Sequence, residues 1–232
     1  HSGGAARHNG GHWRSRDAFG DRFVIRGQEA KSDVFVDGLR DPGMTIRESF
    51  AVEQIEISKG PNSSFAGRGT SGGAVNAITK AASTDYDFGK VAVGLGNDRF
   101  VRTTADINLR ASDTFAVRAN VLYAYQDVPQ RAPADRERKG LAVSALYQPA
   151  SDLSITLDYY GLRAQDNPDL GNYLSTNAAT GERLPTTLFV PSYAQKEDFL
   201  RSDVNTFTAR LRYEFTPDIY VTNIFRYGAS DN

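Results

Sequence analysis

The sequence has no cysteine, one methionine and one tryptophan in 232 residues, and its charges nearly cancel, with 27 Lys plus Arg against 28 Asp plus Glu. Without cysteine there is no disulfide framework, no thiolate metal site and no cysteine nucleophile. The balanced charge argues against a nucleic-acid-binding domain, which is usually strongly basic. No apolar run approaches the ~18 residues that a membrane helix needs. That excludes helical spans only. Strands that alternate apolar and polar residues can cross a membrane and still look hydrophilic on average.

The chain begins at His1 in a Gly- and His-rich run and stops at Ala229–Asn232, just after a strand-like segment. An open start and finish suggest a piece of a longer protein, so any targeting segment lies elsewhere. Up to about Ser83, short apolar runs are punctuated by glycine. Phe23–Gly27, Val34–Gly38, Val52–Ile57 and Ala74–Thr79 read as short strands ended by turn residues. Ile46–Ala51 reads as a helical turn or an irregular connection.

From about Asp87 the period changes to two. Val101, Thr103, Ala105, Ile107 and Leu109 share one face, against Arg102, Thr104, Asp106, Asn108 and Arg110 on the other. The segments around Val117–Tyr125, Leu141–Tyr147, Leu153–Tyr159 and Phe207–Phe215 repeat the alternation. In Ile219–Tyr227, Asn223 blurs the choice of face. Ala111–Thr114, Pro149–Asp152 and Thr216–Asp218 are tight polar turns. Val128–Arg138 and the roughly 37 residues from Ala164 to Leu200 are long loops, while Gly96–Asp98 is short where a long loop is due. Short turns at one end, long loops at the other and tyrosines near strand ends are the pattern of an outer-membrane barrel. A soluble β-sandwich alternates too. The hydrated face running over five or six strands favours the barrel. Charges such as Arg102, Asp106, Arg118 and Arg210 then require an aqueous or plug-filled interior.

Four segments of the first half carry a family resemblance: Phe23–Gly27, Val34–Asp41, Val52–Pro61 and Phe65–Lys80. In motif, order and spacing they resemble the plug domain of TonB-dependent outer-membrane receptors, with the ferric-siderophore branch most similar. Asp166–Gly171 also resembles the start of those receptors' long third extracellular loop, and Phe199–Thr206 the strand after it. The resemblance implies a mixed α/β plug over residues 1–83, lacking its N-terminal part, and the first strands of an antiparallel transmembrane β-barrel over 84–232. About seven strands of an expected 22 are accounted for, so the barrel is incomplete. Such a piece is expected neither to transport nor to couple to an energy source on its own.

By the same resemblance, Arg26, Arg40, Pro42, Gly43, Met44 and Phe50 are expected to contact the siderophore at the plug apex. Tyr173, Phe189 and Tyr193 would do so from the long loop. Ala66 departs from the hydroxamate receptors, which carry tyrosine there. Gly27, Asp37, Gly38, Glu53, Glu56, Lys59, Gly60, Pro61, Gly67, Arg68, Gly72 and Gly73 are expected to frame the plug. Arg26, Arg40, Arg47 and Arg68 could present guanidinium forks to an anionic complex, although for Arg68 and Lys59 pairing inside the plug is the preferred role.

Other chemistry finds little support. The Gly67–Gly73 run lacks the Gly-Lys-Ser/Thr ending of a phosphate-binding loop. His8 and His12 sit in a glycine-rich stretch rather than on a helix, and no catalytic fingerprint is present. No enzyme activity and no cofactor are expected, iron being carried within the ligand. The implied partners are a ferric siderophore, the TonB complex of the inner membrane and outer-membrane lipid, with no nucleic acid and a monomeric receptor. The implied location is the outer membrane of a Gram-negative bacterium. Haem, cobalamin or a glycan are alternative cargoes, and a surface binding or signalling protein is the alternative class.

Overall fold

The structure, a computed structural model, describes residues 24–25, 28–29, 34–41, 48–59, 73–169, 174–177, 180–185 and 196–231. It holds a small mixed sheet and a long antiparallel wall. β1 (Val24–Ile25) and β2 (Gln28–Glu29) pair antiparallel. β3 (Val34–Val36), β4 (Leu39–Arg40), β5 (Val52–Lys59) and β6 (Gly73–Thr79) form a sheet in the order β4-β3-β6-β5. Only β3 and β6 run parallel within it. Asp37 and Gly38 join β3 to β4 with φ of 50° and 77°. This is the Asp-Gly pair that a tight hairpin with two positive φ values favours. The helical component expected of the plug is represented, among the described residues, by the 3-10 turn Ser49–Ala51.

The wall contains β7 (Phe88–Leu95), β8 (Val101–Ser112), β9 (Phe115–Asp127), β10 (Asp135–Ala150) and β11 (Leu153–Asn167). A hairpin of β12 (Leu174–Thr176) and β13 (Arg183–Pro185) precedes β14 (Leu200–Thr216) and β15 (Ile219–Asp231). The seven long strands form one meander in the order β15-β14-β11-β10-β9-β8-β7. Among the described residues β7 and β15 are free edges, so the wall does not close. Of these seven, every strand but β7 exceeds the ~9–11 residues that cross a bilayer when tilted.

Two corrections concern strand length. β10 begins at Asp135, within what reads as a loop to Arg138, and β11 continues to Asn167. Charge made these ends look like loops, but the charges are paired within the sheet: Arg138 with Asp166, and Lys139 with Glu137.

Register gives each face a fixed parity. Asp106 lies opposite Asn120, Asn120 opposite Ala142, Ala142 opposite Tyr160, Tyr160 opposite Thr206, and Thr206 opposite Gly228. With Lys90 opposite Asp106 on β7, even-numbered positions share the plug-facing side of all seven strands up to the register shifts beside the short turns. Odd-numbered positions point away and, apart from Tyr220 at the short-turn end, carry the exposed large apolar residues of the wall strands, from Val91, Val93 and Leu95 through Leu109, Val121, Leu141 and Leu157 to Leu211, Val221 and Phe225. An apolar face of this extent suits hydrocarbon rather than water. Asn223 belongs to it, opposite Leu211, which settles the blurred strand.

Candidate functional site

The plug sheet rests on the even-numbered face, held by three polar anchors and one apolar one. In the first, Asp106 and Arg118 are cross-strand diagonal neighbours whose bidentate pair has both N···O distances at 2.9 Å. Arg118 Nη2 also reaches Glu53 on β5 at 2.9 Å, and Lys80 Nζ reaches Asp106 at 2.9 Å and Asn120 at 3.2 Å. The Arg118 guanidinium lies 5.1 Å from the Phe88 ring centroid. Two cations and two carboxylates thus alternate across the interface. Their mutual bonds offset part of the cost of burying Arg118, Asp106 and Lys80, while Glu53 stays exposed.

In the second, the Asp37 carboxylate accepts from the Thr79 backbone N–H and hydroxyl, both at 2.9 Å. From the wall, Arg226 approaches it at 3.3 Å and Arg210 at 3.6 Å. Arg226 also donates to the Val36 carbonyl and the Thr208 hydroxyl, both at 2.9 Å. Gly38 N–H donates to Asn76 Oδ1, while Asn76 Nδ2 donates to Glu56 at 3.0 Å. The tight turn is thereby fixed from both sides.

The third anchor is the segment that leaves the plug. Ala82 N–H donates to Ser144 Oγ, and Ser83 exchanges hydrogen bonds with the fully buried Asn108 side chain. Nearer the long-loop end, Glu48 pairs with Arg102 at 2.8 Å.

The apolar anchor is Phe50, only 5% exposed, in a cluster with Ala51, Leu122, Leu162 and Val204. Its ring stacks on Tyr160, centroids 5.7 Å apart, and occupies the space above Gly140, where a Cβ would lie 2.6 Å from the ring. Gly140 is a socket because it has no side chain.

A cavity of about 830 Å³ remains between the plug sheet and β10, β11, β14 and β15, with Asp37, Arg40, Asp41, Asp158, Tyr160 and Arg226 in its lining. At the long-loop end, Arg131 makes a two-pronged contact with Asp169 at 2.8 and 2.7 Å, tying the 128–134 connection to the root of the long loop. This hydrogen bond raises the Arg131 pKa above its ordinary value.

The expected siderophore contacts fare unevenly. Arg40 is exposed on β4, 5.7 Å from the Phe35 ring centroid. Phe50 is buried against the wall, where it anchors the plug. Arg26, Pro42, Gly43, Met44, Tyr173, Phe189 and Tyr193 lie outside the described residues. Of the frame positions, Asp37, Gly38, Glu53 and Glu56 make the contacts above, and Gly73 opens β6 at φ 138° opposite the Lys59 backbone. Gly27, Gly60, Pro61, Gly67, Arg68 and Gly72 also lie outside. Sequence reasoning missed Asn108, Gly140, Ser144, Tyr160 and Arg226 as plug contacts. Their even numbering was the available signal.

A small sheet fastened by ion pairs to the polar face of an apolar-backed antiparallel wall defines a plugged barrel. Residues 7–74 match the TonB-dependent Receptor Plug Domain family, and the chain belongs to the TonB-dependent receptors. It is 33% identical over 217 residues to a protein of Acinetobacter baumannii named as a probable TonB-dependent siderophore receptor, PiuA, covering 92% of this chain and 29% of that protein. The crystal structure of PiuA superposes with a TM-score of 0.80 at 32% identity, over 91% of this chain and 30% of that one. The open form of Fiu, the ferric-catecholate import receptor of Escherichia coli K12, gives 0.80 at 26% identity, over 90% and 33%. The chain thus spans about a third or less of each relative.

Proposed function

We propose that this chain is the plug and first wall segment of an outer-membrane transporter that takes up a ferric siderophore in a TonB-dependent way. In this reading the plug unit extends to residue 83 and the barrel wall starts at 84. The ligand meets the plug apex around Arg26, Arg40 and Pro42–Met44, together with Tyr173, Phe189 and Tyr193 of the long loop. The observation that carries the reading is the seating of a matched plug domain on the polar face of the wall, in a chain whose relatives are named siderophore receptors. Fiu, named for ferric catecholates, favours a catecholate cargo. Aromatic rings suit the flat catechol face, and arginine forks suit its anionic oxygens.

The anchors also support a plug that moves. Carboxylate–cation pairs can exchange their partners for water one at a time, whereas a dry apolar interface must open all at once. A pull from an inner-membrane partner would hydrate the Glu53–Arg118 and Asp37–Arg226 contacts before it drew Phe50 from its socket. No catalytic step and no resident cofactor enter this scheme. The test is growth of a deletion strain on iron supplied as defined ferric siderophores. Loss of growth on a ferric catecholate, restored by the intact gene, is the expected result; unimpaired growth on every ferric siderophore tested would falsify it.

A further inference from the structure

The plug segment that follows residues 42–47 grips the wall at Glu48 and again at Phe50. Glu48 stands at the N-cap position of the 3-10 turn Ser49–Ala51, yet its side chain does not cap that turn. An acid at this position can accept from the N–H groups of its own turn. Here the carboxylate goes to the wall instead, to Arg102 Nη2 at 2.8 Å. Phe50 then enters its socket, and the Ala51 carbonyl accepts from Lys80 N–H at 2.9 Å.

Arg102 is placed for this one contact. It faces inward on β8, opposite Gly94 on β7 and Ala124 on β9, so neither neighbour on its row offers a polar side chain. The Phe100 ring fills the space over Gly94, where a Cβ would lie 3.4 Å from that ring and 4.0 Å from the Arg102 Cβ. Among the described residues, Glu48 is the carboxylate bonded to Arg102, and Arg102 the cation bonded to Glu48. The pair is partly buried, with side-chain exposures of 31% for Arg102 and 17% for Glu48. Further down the same inward face, Asp106 takes Lys80 and Asn108 takes Ser83. Those two contacts hold the segment that leaves the plug, whereas Glu48 is held at the end nearest the long loops.

On the other side of residues 42–47, Asp41 N–H donates to the Val34 carbonyl at 2.9 Å, and the Asp37–Gly38 turn before it is held by Arg226. One root is therefore tied to β15 and the other to β8, at opposite sides of the wall.

We propose that Arg102 is a positioning residue for the cargo. By holding Glu48 it fixes the second root of the segment that contains Pro42, Gly43 and Met44, and so prepares the plug apex for a ligand that Arg102 itself does not touch. A segment tethered at both ends has less freedom to lose when a ligand orders it. The inference rests on the siderophore reading above, in which the ligand meets the apex.

The experiment titrates the intact receptor in detergent with the iron(III) complex of a tricatechol, binding being read by quenching of intrinsic fluorescence. E48Q and R102Q are each expected to bind it about tenfold more weakly. Because either change removes the same contact, E48Q/R102Q should be no weaker than the single variants. The exchanged pair E48R/R102E should return to within a few-fold of the parent, which a general loss of plug stability would not allow. In the ligand-free receptor, amide hydrogen exchange at residues 43–47 should quicken about tenfold in both single variants, with β5 and β6 unchanged. E48Q is nearly isosteric and reports even if R102Q folds poorly. Tighter binding in E48Q beside weaker binding in R102Q would mean that Arg102 bonds the cargo itself, and overturns the proposal. Additive single effects, or unchanged exchange at residues 43–47, overturn it as well. A parent that binds the complex no better than its single variants do sinks only this inference. A parent that binds no ferric siderophore, while E48Q and R102Q still quicken exchange at residues 43–47, sinks the cargo and leaves the tether standing.

Discussion

The two faces of one wall obey different rules. On the even-numbered face, side chains have specific partners: Arg118 meets Asp106 and Glu53, Arg226 meets Asp37, Asn108 meets Ser83. On the odd-numbered face, Leu141, Leu157 and Leu211 need only be apolar. The first face is a lock, where a change costs whatever the orphaned partner loses. The second is a solvent boundary, where a change costs according to polarity and depth. A strand serves both because its side chains alternate strictly.

The sharpest way to break this contrast is Arg118→Ala in the intact receptor. Removing Arg118 strips Asp106 of its bidentate partner, leaving it Lys80 alone, and leaves the exposed Glu53 unheld, a loss toward the lower end of the ~3–5 kcal/mol for a broken buried pair. It should be read as a lower denaturant midpoint with more hydrogen exchange in β5 and β6. On the opposite face, Leu157→Arg places a charge against hydrocarbon at a mid-strand position and should cost ~2–4 kcal/mol. Its readout is a smaller folded fraction in urea-induced refolding into bilayers. The same substitution in detergent alone should be much milder, and equal losses in both would remove the solvent-boundary account.

Gly140→Ala tests the socket. A Cβ 2.6 Å from the Phe50 ring must displace it, at about 1–3 kcal/mol for overpacking. The paired variant Gly140→Ala with Phe50→Leu should recover part of that loss in a double-mutant cycle, and strict additivity would show that the two do not touch. Smallest of the four, Arg131→Ala removes a loop-root ion pair worth about 0.2–1 kcal/mol. Global stability should barely change, while proteolysis within the long loop quickens. An unaltered cleavage rate would mean that Arg131 does not restrain it.

Much of this was written in local pattern. Alternation identified the wall strands, Asp37-Gly38 marked a tight turn, and the plug motifs gave the family. The pairings were not legible, for a physical reason. Arg226 and Asp37 are 189 residues apart, and which inward arginine meets which plug carboxylate depends on the register of every strand between them. The packing of Phe50 was hidden in another way. Only the gap left by Gly140 on a different strand shows that the ring has a socket in the wall. The charged ends of β10 and β11 read as loop because a lone strand cannot satisfy Arg138. Its partner, Asp166, is supplied by the neighbouring strand.

The shared parity of all seven strands behaves like a phase carried along the chain. Inserting one residue within Val117–Tyr125 would put everything on one side of it out of phase, turning Arg118 or Asn120 toward hydrocarbon and Val121 or Tyr123 toward the plug. The same insertion between Pro168 and Phe199, outside the β12–β13 hairpin, leaves the wall pairing unchanged, because β11 and β14 are held to each other by their own ladder. Length variation is therefore confined to the connections, and the long-loop end is where such a wall can acquire new recognition surface without disturbing the plug it encloses.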